Sequence, residues 1–568
     1  MLAIATTEPA ALAACSPKLR HSMGVLGAFA WVASLPVVAC LLAAPWLFQE
    51  LVPCEWIGLA IPLLLIRRLT GWGGEIAMLV LATGALAIAF HWTPAVLAYS
   101  LDTGWGVALL VTIPIILFDA VRLAAPFLFA ARCGVDPLQA WLPAGLMAVV
   151  VETIMPAVFP WRHGYSQIYW YPLIQSADLF GPAITTLIAF AHAGVVVWMV
   201  DAAGLLGRRR EEERPGMRYF AWGALVLCGL NAAYGMWAIQ AWTALIAEAP
   251  AISVALVQAN PEDADGIEAL QSLTKEECRA GAGVPDLVCW PECSGGSYAD
   301  RLDSLADPEQ VQELSRHPRR GFQPWPDQQC SLLFGGKVFV GHPEKPQMLY
   351  QSAILLDSTA GIRGRYHKRH LMPFGEYVPG AKLSPEVARL FPMQEKLTEG
   401  AEATVLSTGG PARLGVLLCY EDMIPSAAGS LVKGSANLLV SLINGAAFTA
   451  PLTLQQHRLL AQLRAVESRR FLLRCAATGE TCVISPLGKV VARLPLQTRG
   501  CLRQEVRLLD HQTVFNRLGD WFFPIGCACG LMPFCFPRLL RRKGPAAPIR
   551  MEATGAPSLH TTSTEAEL

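Results

Sequence analysis

The chain has 568 residues, more than one ordinary domain needs, and is 53% hydrophobic but only 16% charged, against roughly a quarter charged in soluble domains. Lys plus Arg equals Asp plus Glu at 45 each, so no charge excess points to nucleic acid, and no such partner is expected. No spacing resembles a zinc ribbon or a phosphate-cradling glycine loop.

The apolar residues are unevenly placed. Residues 23–250 hold most of the greasy runs, whereas 252–510 have ordinary soluble composition. A spanning helix needs about 20 mostly apolar residues. In chain order the candidates are Met23–Phe48, Cys54–Ile66, Gly73–Trp92, Gly104–Phe129, Pro137–Phe159, Ala183–Leu206, Phe220–Ala247 and Trp521–Phe536. Lys18 and Arg20 precede the first run, and Val37-Val38-Ala39-Cys40 resembles a lipoprotein processing site, so a cleaved leader must be weighed. The run continues through Leu41–Phe48 and further spans follow, which favours an uncleaved helix.

Basic residues set the orientation. Lys18 and Arg20, Arg67 and Arg68, Arg132, Arg208–Arg210, and Arg538, Arg541, Arg542 and Lys543 all fall on one side of an eight-span threading. The positive-inside rule makes that side cytoplasmic. The soluble half is then expected outside, on the periplasmic face of the cytoplasmic (inner) membrane.

In that half, Ala251–Gln258 and Ala282–Trp290 read as buried strands, and Ser352–Leu356, Arg413–Leu418 and Ala436–Ser441 as further short β runs. Asp263–Cys278 and Leu454–Arg470 have helical composition, and Lys489–Leu494 suggests a late strand after a tight turn at Pro486-Leu487-Gly488. Strands alternating with helices argue for a layered α/β domain. Along Leu454–Arg470, Leu459, Leu460, Leu463 and Val466 recur at core spacing, and His457, Arg464 and Glu467 read as a solvated or salt-bridged face.

Three residues at the ends of strand-like runs carry the chemistry. Asp286–Trp290 leads through Pro291 to Glu292; Tyr366-His367-Lys368 presents a lysine; Val416-Leu417-Leu418 stops at Cys419. Ligands commonly bind at the carboxyl ends of strands in open α/β sheets. A thiolate attacks an ester once a nearby cation lowers its pKa from about 8.5. Lys368 is the candidate cation and oxyanion donor, and Glu292 the candidate base. The bland reading, three unrelated structural residues, competes with this one. Sixteen cysteines show no spacing pattern. Cys278, Cys289, Cys293 and Cys330 are candidates to pair in an oxidising compartment, with connectivity open.

Trp290-Pro291-Glu292, Tyr366-His367-Lys368, Pro373-Phe374-Gly375-Glu376-Tyr377 and Cys419-Tyr420-Glu421 resemble the motifs of the nitrilase (carbon–nitrogen hydrolase) superfamily and, within it, the apolipoprotein N-acyltransferase family. Glu152, Phe159-Pro160-Trp161 and Gly164-Tyr165-Ser166-Gln167 are similar to that family's membrane signature, and Thr513 to Gly519-Asp520-Trp521 to its approach to the last helix. The resemblance implies a polytopic helical membrane domain bearing an αββα sandwich. It also implies Glu292 as general base, Lys368 as oxyanion-stabilising lysine and Cys419 as acylated nucleophile. Glu376 would be the second glutamate supporting the lysine, with Tyr420 and Glu421 shaping the pocket. No cofactor or metal is implied.

The implied partners are a phospholipid acyl donor, usually phosphatidylethanolamine, a diacylglyceryl-cysteine apolipoprotein acceptor, and the bilayer itself. One departure is Asn444-Gly445-Ala446-Ala447-Phe448, where the family has an aspartate and a tryptophan lining the cleft. A membrane-tethered amidase and a degenerate lipoprotein-binding relative are the rival readings. The expected division is a cytoplasmic N-terminus over 1–22, a membrane domain of about seven helices over 23–250, and a catalytic domain over 251–512. A last transmembrane helix over 519–537 and a disordered tail over 544–568 complete it. Gly380–Leu397, apolar residues among charges, is read as either an interfacial arm or an ordinary surface excursion.

Overall fold

A computed structural model describes residues 33–205, 218–260, 266–279, 283–295, 297–299, 330–342, 345–359, 361–380, 397–445 and 450–535. The arginines at 208–210, the basic cluster at 541–543, the arm at 381–396, Ala446 to Phe448, and the expected N-terminus and tail lie outside these residues.

Five helices are long and apolar enough to cross a bilayer: Trp72–Ala89, Trp105–Arg132, Pro137–Ile154, Ala183–Ala202 and Arg218–Glu248. The protein is therefore read as a membrane protein. Ala33–Leu47 and Phe522–Cys535 are shorter apolar helices, and Val52–Leu64 packs among them. The exposed faces are themselves apolar, with Leu109, Leu110, Ile113 and Leu117 facing outward on the Trp105–Arg132 helix, as expected where the solvent is lipid. Two boundaries depart from the apolar runs. The run to Trp92 breaks after Ala89, and a separate helix, Thr93–Ser100, opens with Pro94 in its first turn, where proline's missing N–H costs nothing. The final run breaks at Leu531 into Phe522–Gly530 and Met532–Cys535.

Charged contacts define the two ends of the bundle. Arg67 reaches Asp136 at 3.3 Å and Arg132 reaches Glu75 at 2.6 Å, so the loops carrying Arg67 and Arg132 meet at one end. The catalytic domain docks at the other. There Trp92 Nε1 donates to Gln456 Oε1 at 2.9 Å, and Gln456 Nε2 donates to the Trp46 and Ala89 carbonyls at 3.0 Å each. Arg469 grips Asp178 Oδ2 through Nε and Nη2 at 2.9 and 2.6 Å and stacks over Trp242.

The catalytic domain has two mixed sheets. The first contains β1 (Ala251–Gln258), β2 (Leu287–Cys289), β3 (Ser297–Ala299), β4 (Ser331–His342), β5 (Lys345–Leu356), β6 (Ile362–His367) and the late strand β13 (Gly500–Arg507), in the order β13-β1-β2-β4-β5-β6 with β3 beside β4. The second runs β12 (Val490–Arg493), β11 (Cys482–Ile484), β10 (Leu472–Ala476), β9 (Leu438–Ile443), β8 (Arg413–Leu418), β7 (Val405–Ser407).

Alternation along β1 explains the layering, because successive strand side chains point to opposite faces. Val254 and Leu256 enter the core shared with Leu414, Val416 and Leu438 of the second sheet. Ala255 and Val257 enter a separate core with Ala269 and Leu270 of the Gly266–Arg279 helix. Helices Pro425–Lys433 and Pro451–Ser468 contribute Ala428, Leu431, Ala461 and Ala465 to the packing around the second sheet. The result is the helix–sheet–sheet–helix sandwich that the resemblance implied.

Candidate active site

Cys419 sits where β8 ends. Leu414 and Val416–Leu418 are fully buried, and each such side chain contributes roughly 1.5–3 kcal/mol, so the strand's end is firmly placed. β8 pairs in parallel with β9, Leu418 opposite Leu442. Cys419 then takes φ +48° and opens a tight turn, Cys419–Met423. A non-glycine residue in this left-handed region carries strain that its surroundings must hold.

The surroundings do hold it. Glu421 Oε2 accepts from the Leu418 N–H at 2.8 Å. Glu421 Oε1 accepts from the Tyr366 hydroxyl at 2.8 Å and from the N–H groups of Arg369 and His370 at 2.8 and 3.1 Å. One carboxylate thus ties the nucleophile's turn to the segment after β6 that carries Lys368. Asp422 anchors the turn from the other side, accepting from Ser441 Oγ at 2.8 Å and pairing with His457 Nε2 at 2.7 Å and Arg474 Nε at 3.3 Å. Burial alone would raise the Asp422 pKa, but His457, Arg474 and Ser441 together hold it below the ordinary value. Arg464 Nη1 closes the turn by donating to the Met423 carbonyl at 2.7 Å.

Lys368 is buried between two carboxylates. Its Nζ lies 2.5 Å from Glu376 Oε1 and 3.5 Å from Glu292 Oε1. Glu376 Oε2 accepts from the Met372 N–H at 2.7 Å, which fixes the carboxylate that orients the lysine. Burial would lower the Lys368 pKa, but Glu376, Glu292 and Cys419 outweigh it and raise it well above the ordinary value. That shift favours the charged ammonium. Glu292 follows the buried Trp290, whose Nε1 donates to Thr274 Oγ1 at 3.0 Å. The chain passes so close to β4 that a Cβ on Gly335 would meet Glu292 Cα at 2.6 Å. Burial raises the Glu292 pKa, Lys368 lowers it, and Glu376 raises it again, for a net upward shift.

The thiol departs from the sequence expectation. Burial and then Glu292 raise the Cys419 pKa well above its ordinary value, and Lys368 only partly opposes them. A cation does not pre-form the thiolate, because two carboxylates share the same site. The thiol rests protonated beside a carboxylate of raised basicity, an arrangement for proton transfer on attack.

The altered loop is partly described. The Asn444 N–H donates to Glu292 Oε2 at 3.3 Å. Gly445 takes φ +74°, and a Cβ there would meet Thr478 Oγ1 at 2.9 Å. Among the described residues no disulfide joins Cys278, Cys289, Cys293, Cys330 or Cys419. Cys293 Sγ accepts from Gln351 Nε2 at 3.2 Å.

A carbon-nitrogen hydrolase family model matches residues 253–514. Beyond that domain, the chain is 32% identical over 384 residues to the apolipoprotein N-acyltransferase of Geobacter metallireducens, covering 66% of this chain and 68% of that one. The chain belongs to the apolipoprotein N-acyltransferase family. A second relative, the apolipoprotein N-acyltransferase of Bdellovibrio bacteriovorus, is 25% identical over 480 residues, 79% of this chain and 82% of that one. Among solved structures, Saccharomyces cerevisiae Nit3 of the nitrilase superfamily is 20% identical, with TM-score 0.32, over 45% of this chain and 90% of that chain.

Glu292, Lys368 and Glu376 meet in space, Lys368 senses Cys419 electrostatically, and Glu421 stands behind them. Tyr420 is buried beside the membrane half, where with Met372 and Met423 it closes an apolar pocket. The walls of that pocket come from the membrane helices and the loop after Ile154, notably Phe90, Trp92, Phe159 and Trp161. Sequence reasoning missed the Asp422 cluster. It placed His457, Arg464 and Glu467 on a solvated or salt-bridged face; they are salt-bridged and fully buried. The available signal was the helix itself, amphipathic in sequence yet flanked by apolar strands that leave it no water-facing side.

Proposed function

We propose that this protein N-acylates the α-amine of a diacylglyceryl-cysteine apolipoprotein, drawing the acyl chain from a phospholipid through a thioester on Cys419. The carrying observation is the pocket between the two halves. Its walls are Phe90, Trp92, Phe159 and Trp161, and its floor is Tyr420 and Met423, both within the Cys419–Met423 turn. An apolar slot walled by the membrane half and floored by Tyr420, the residue next to Cys419 in the chain, fits a fatty acyl chain better than a small soluble amide.

In the first step Cys419 Sγ attacks the ester carbonyl while its proton passes to Glu292. Lys368 neutralises the oxyanion, with Glu376 fixing the ammonium. The glycerol oxygen leaves with the proton returned from Glu292, giving a lysophospholipid and the thioester. In the second step the acceptor's neutral amine attacks, Glu292 takes a proton from it, and the sulfur leaves and recovers that proton. The amide product and the free thiol complete the cycle. Phosphatidylethanolamine is the proposed donor.

The catalytic domain is proposed to face the periplasm. Arg67 and Arg132 gather at the bundle end opposite the docked domain, and the positive-inside rule makes that end cytoplasmic. Incubating the full chain with phospholipid in micelles is the test. A hydroxylamine-sensitive acyl adduct should appear on the Cys419 peptide and be absent from Cys419→Ala. An adduct on another residue, or none, would overturn the proposal.

A further inference from the structure

One residue beyond Lys368 the chain builds a second pocket of about 370 Å³, which the chemistry above does not use. Arg369, Ser430, Lys433, Asn516 and Asp520 line it. Arg369 Nη1 donates to Ser430 Oγ at 2.9 Å. Among the described residues no carboxylate bonds the Arg369 guanidinium, and Lys433 makes no hydrogen bond. Asn516 supplies the decisive feature. It is only 2% exposed, yet neither its side-chain oxygen nor its nitrogen has a hydrogen-bond partner. Buried amides are almost always satisfied, so an orphaned one facing a cavity marks a place where a ligand supplies the missing bonds.

Charge and position narrow the ligand. Arg369 and Lys433 bring two positive charges and Asp520 one negative, while burial lowers the pKa of the neighbouring His370 and keeps it neutral. Burial raises the Asp520 pKa, and Arg464 of the Pro451–Ser468 helix, Arg162 of the membrane half and Lys433 oppose that rise. The pocket's own lining leaves one positive charge, the complement of a phosphodiester monoanion. The pocket sits where the last apolar helix begins. Trp521, which lines it, is 57% exposed, and Val514, Leu518, Phe522 and Ile525 are exposed beside it. An exposed tryptophan with an apolar collar marks the bilayer surface, the level at which lipid phosphates lie.

We infer that this pocket binds the phosphodiester of a membrane phospholipid, with Arg369 and Lys433 holding its oxygens and the Asn516 amide donating a further hydrogen bond. The inference rests on the proposed reading that the catalytic domain stands on the bilayer. It adds a headgroup site separated from Lys368 by a single backbone step. The amides of Arg369 and His370 both hold Glu421, so the lipid would be anchored to the same segment that positions the nucleophile.

The test uses the full chain in detergent micelles and diether phosphatidylglycerol, which has the phosphodiester but no ester for Cys419 to attack. Native mass spectrometry reads the lipid retained. Wild type should bind it, and Arg369→Gln with Lys433→Gln should weaken binding by about tenfold or more, the loss expected of two charge-assisted bonds. Asn516→Ala should weaken it less, and Arg369→Lys should restore most of it to the single Arg369→Gln variant. A diether glycerol without headgroup should not compete. Undiminished binding in the double variant, or equal binding of the headgroup-free lipid, would overturn the inference. Inorganic phosphate competing as well as the lipid would assign the pocket to a free anion and overturn the lipid source. The binding assay does not depend on turnover, so lipid held through the pocket by a protein that fails the separate Cys419 acyl-adduct test would sink the proposed function and leave this site standing.

Discussion

At the scale of single residues, the proposed role of the arrangement around Cys419 is proton transfer. A thiol whose pKa is pushed up by burial and by Glu292 attacks only as it gives up its proton. Cys419→Ser should therefore be nearly inactive, since a hydroxyl is harder still to deprotonate. Lys368→Met should cost on the order of 10²–10³ in rate if it acts as other oxyanion donors do, and acyl-transfer rates at unchanged protein level check it. The pH profile carries a sign. Glu292 must be ionised to accept the proton, and its pKa is raised above 4.5. The acid limb of the rate should thus lie above the ordinary glutamate range, with activity rising as pH rises through it. An acid limb at or below 4.5 would point to another base. Glu292 and Cys419 stood out in the sequence because each closes an apolar run, and Lys368 because it follows a strand-like one; the structure places Glu292 and Lys368 together. Their protonation states were not legible, since they depend on Glu376 and Glu292 crowding one lysine from distant strands.

At the scale of elements, the nucleophile's turn is held by side chains that look unremarkable in one dimension. Asp422 follows the cysteine by three positions, but its partners Ser441, His457 and Arg474 come from β9, a helix and β10. Breaking a buried ion pair by removing one partner typically costs about 3–5 kcal/mol. Asp422→Ala should lower the thermal unfolding midpoint as well as activity, and a variant with wild-type stability would show that the cluster does not brace the turn. β1 and β8 match their apolar runs residue for residue, Ala251–Gln258 and Arg413–Leu418. The long hairpin β4–β5 does not: only Ser352–Leu356 of it reads as a strand, because Gly335, Gly336 and Lys337 interrupt the apolar pattern. The apolar pocket was equally hidden, being assembled from helices and a loop some 300 positions from Tyr420. Narrowing it with Val96→Phe should shift donor preference toward shorter acyl chains, read as kcat/KM against a chain-length series. An unchanged preference would place the chain elsewhere.

At the scale of the whole molecule, the Cys419 site stands on a helical bundle at the end opposite Arg67 and Arg132. The membrane half was legible as apolar length, and the proposed orientation rests on the basic residues at one end of the bundle. The clamp between halves was not legible, because Arg469 with Asp178 and Gln456 with Trp92 join residues hundreds of positions apart. In intact spheroplasts an impermeant thiol reagent should label the catalytic domain, and a reporter fused after Lys543 should register as cytoplasmic. Labelling only after lysis would invert the orientation. The central claim is transfer between two lipids through Cys419. Its most direct test supplies the purified full chain with a phospholipid radiolabelled in its acyl chain and a diacylglyceryl-cysteine peptide. The label should move to the peptide's α-amine, through a Cys419 adduct that disappears as the amide forms. Label released only as free fatty acid, with the peptide unmodified, would contradict the account and make the protein a hydrolase.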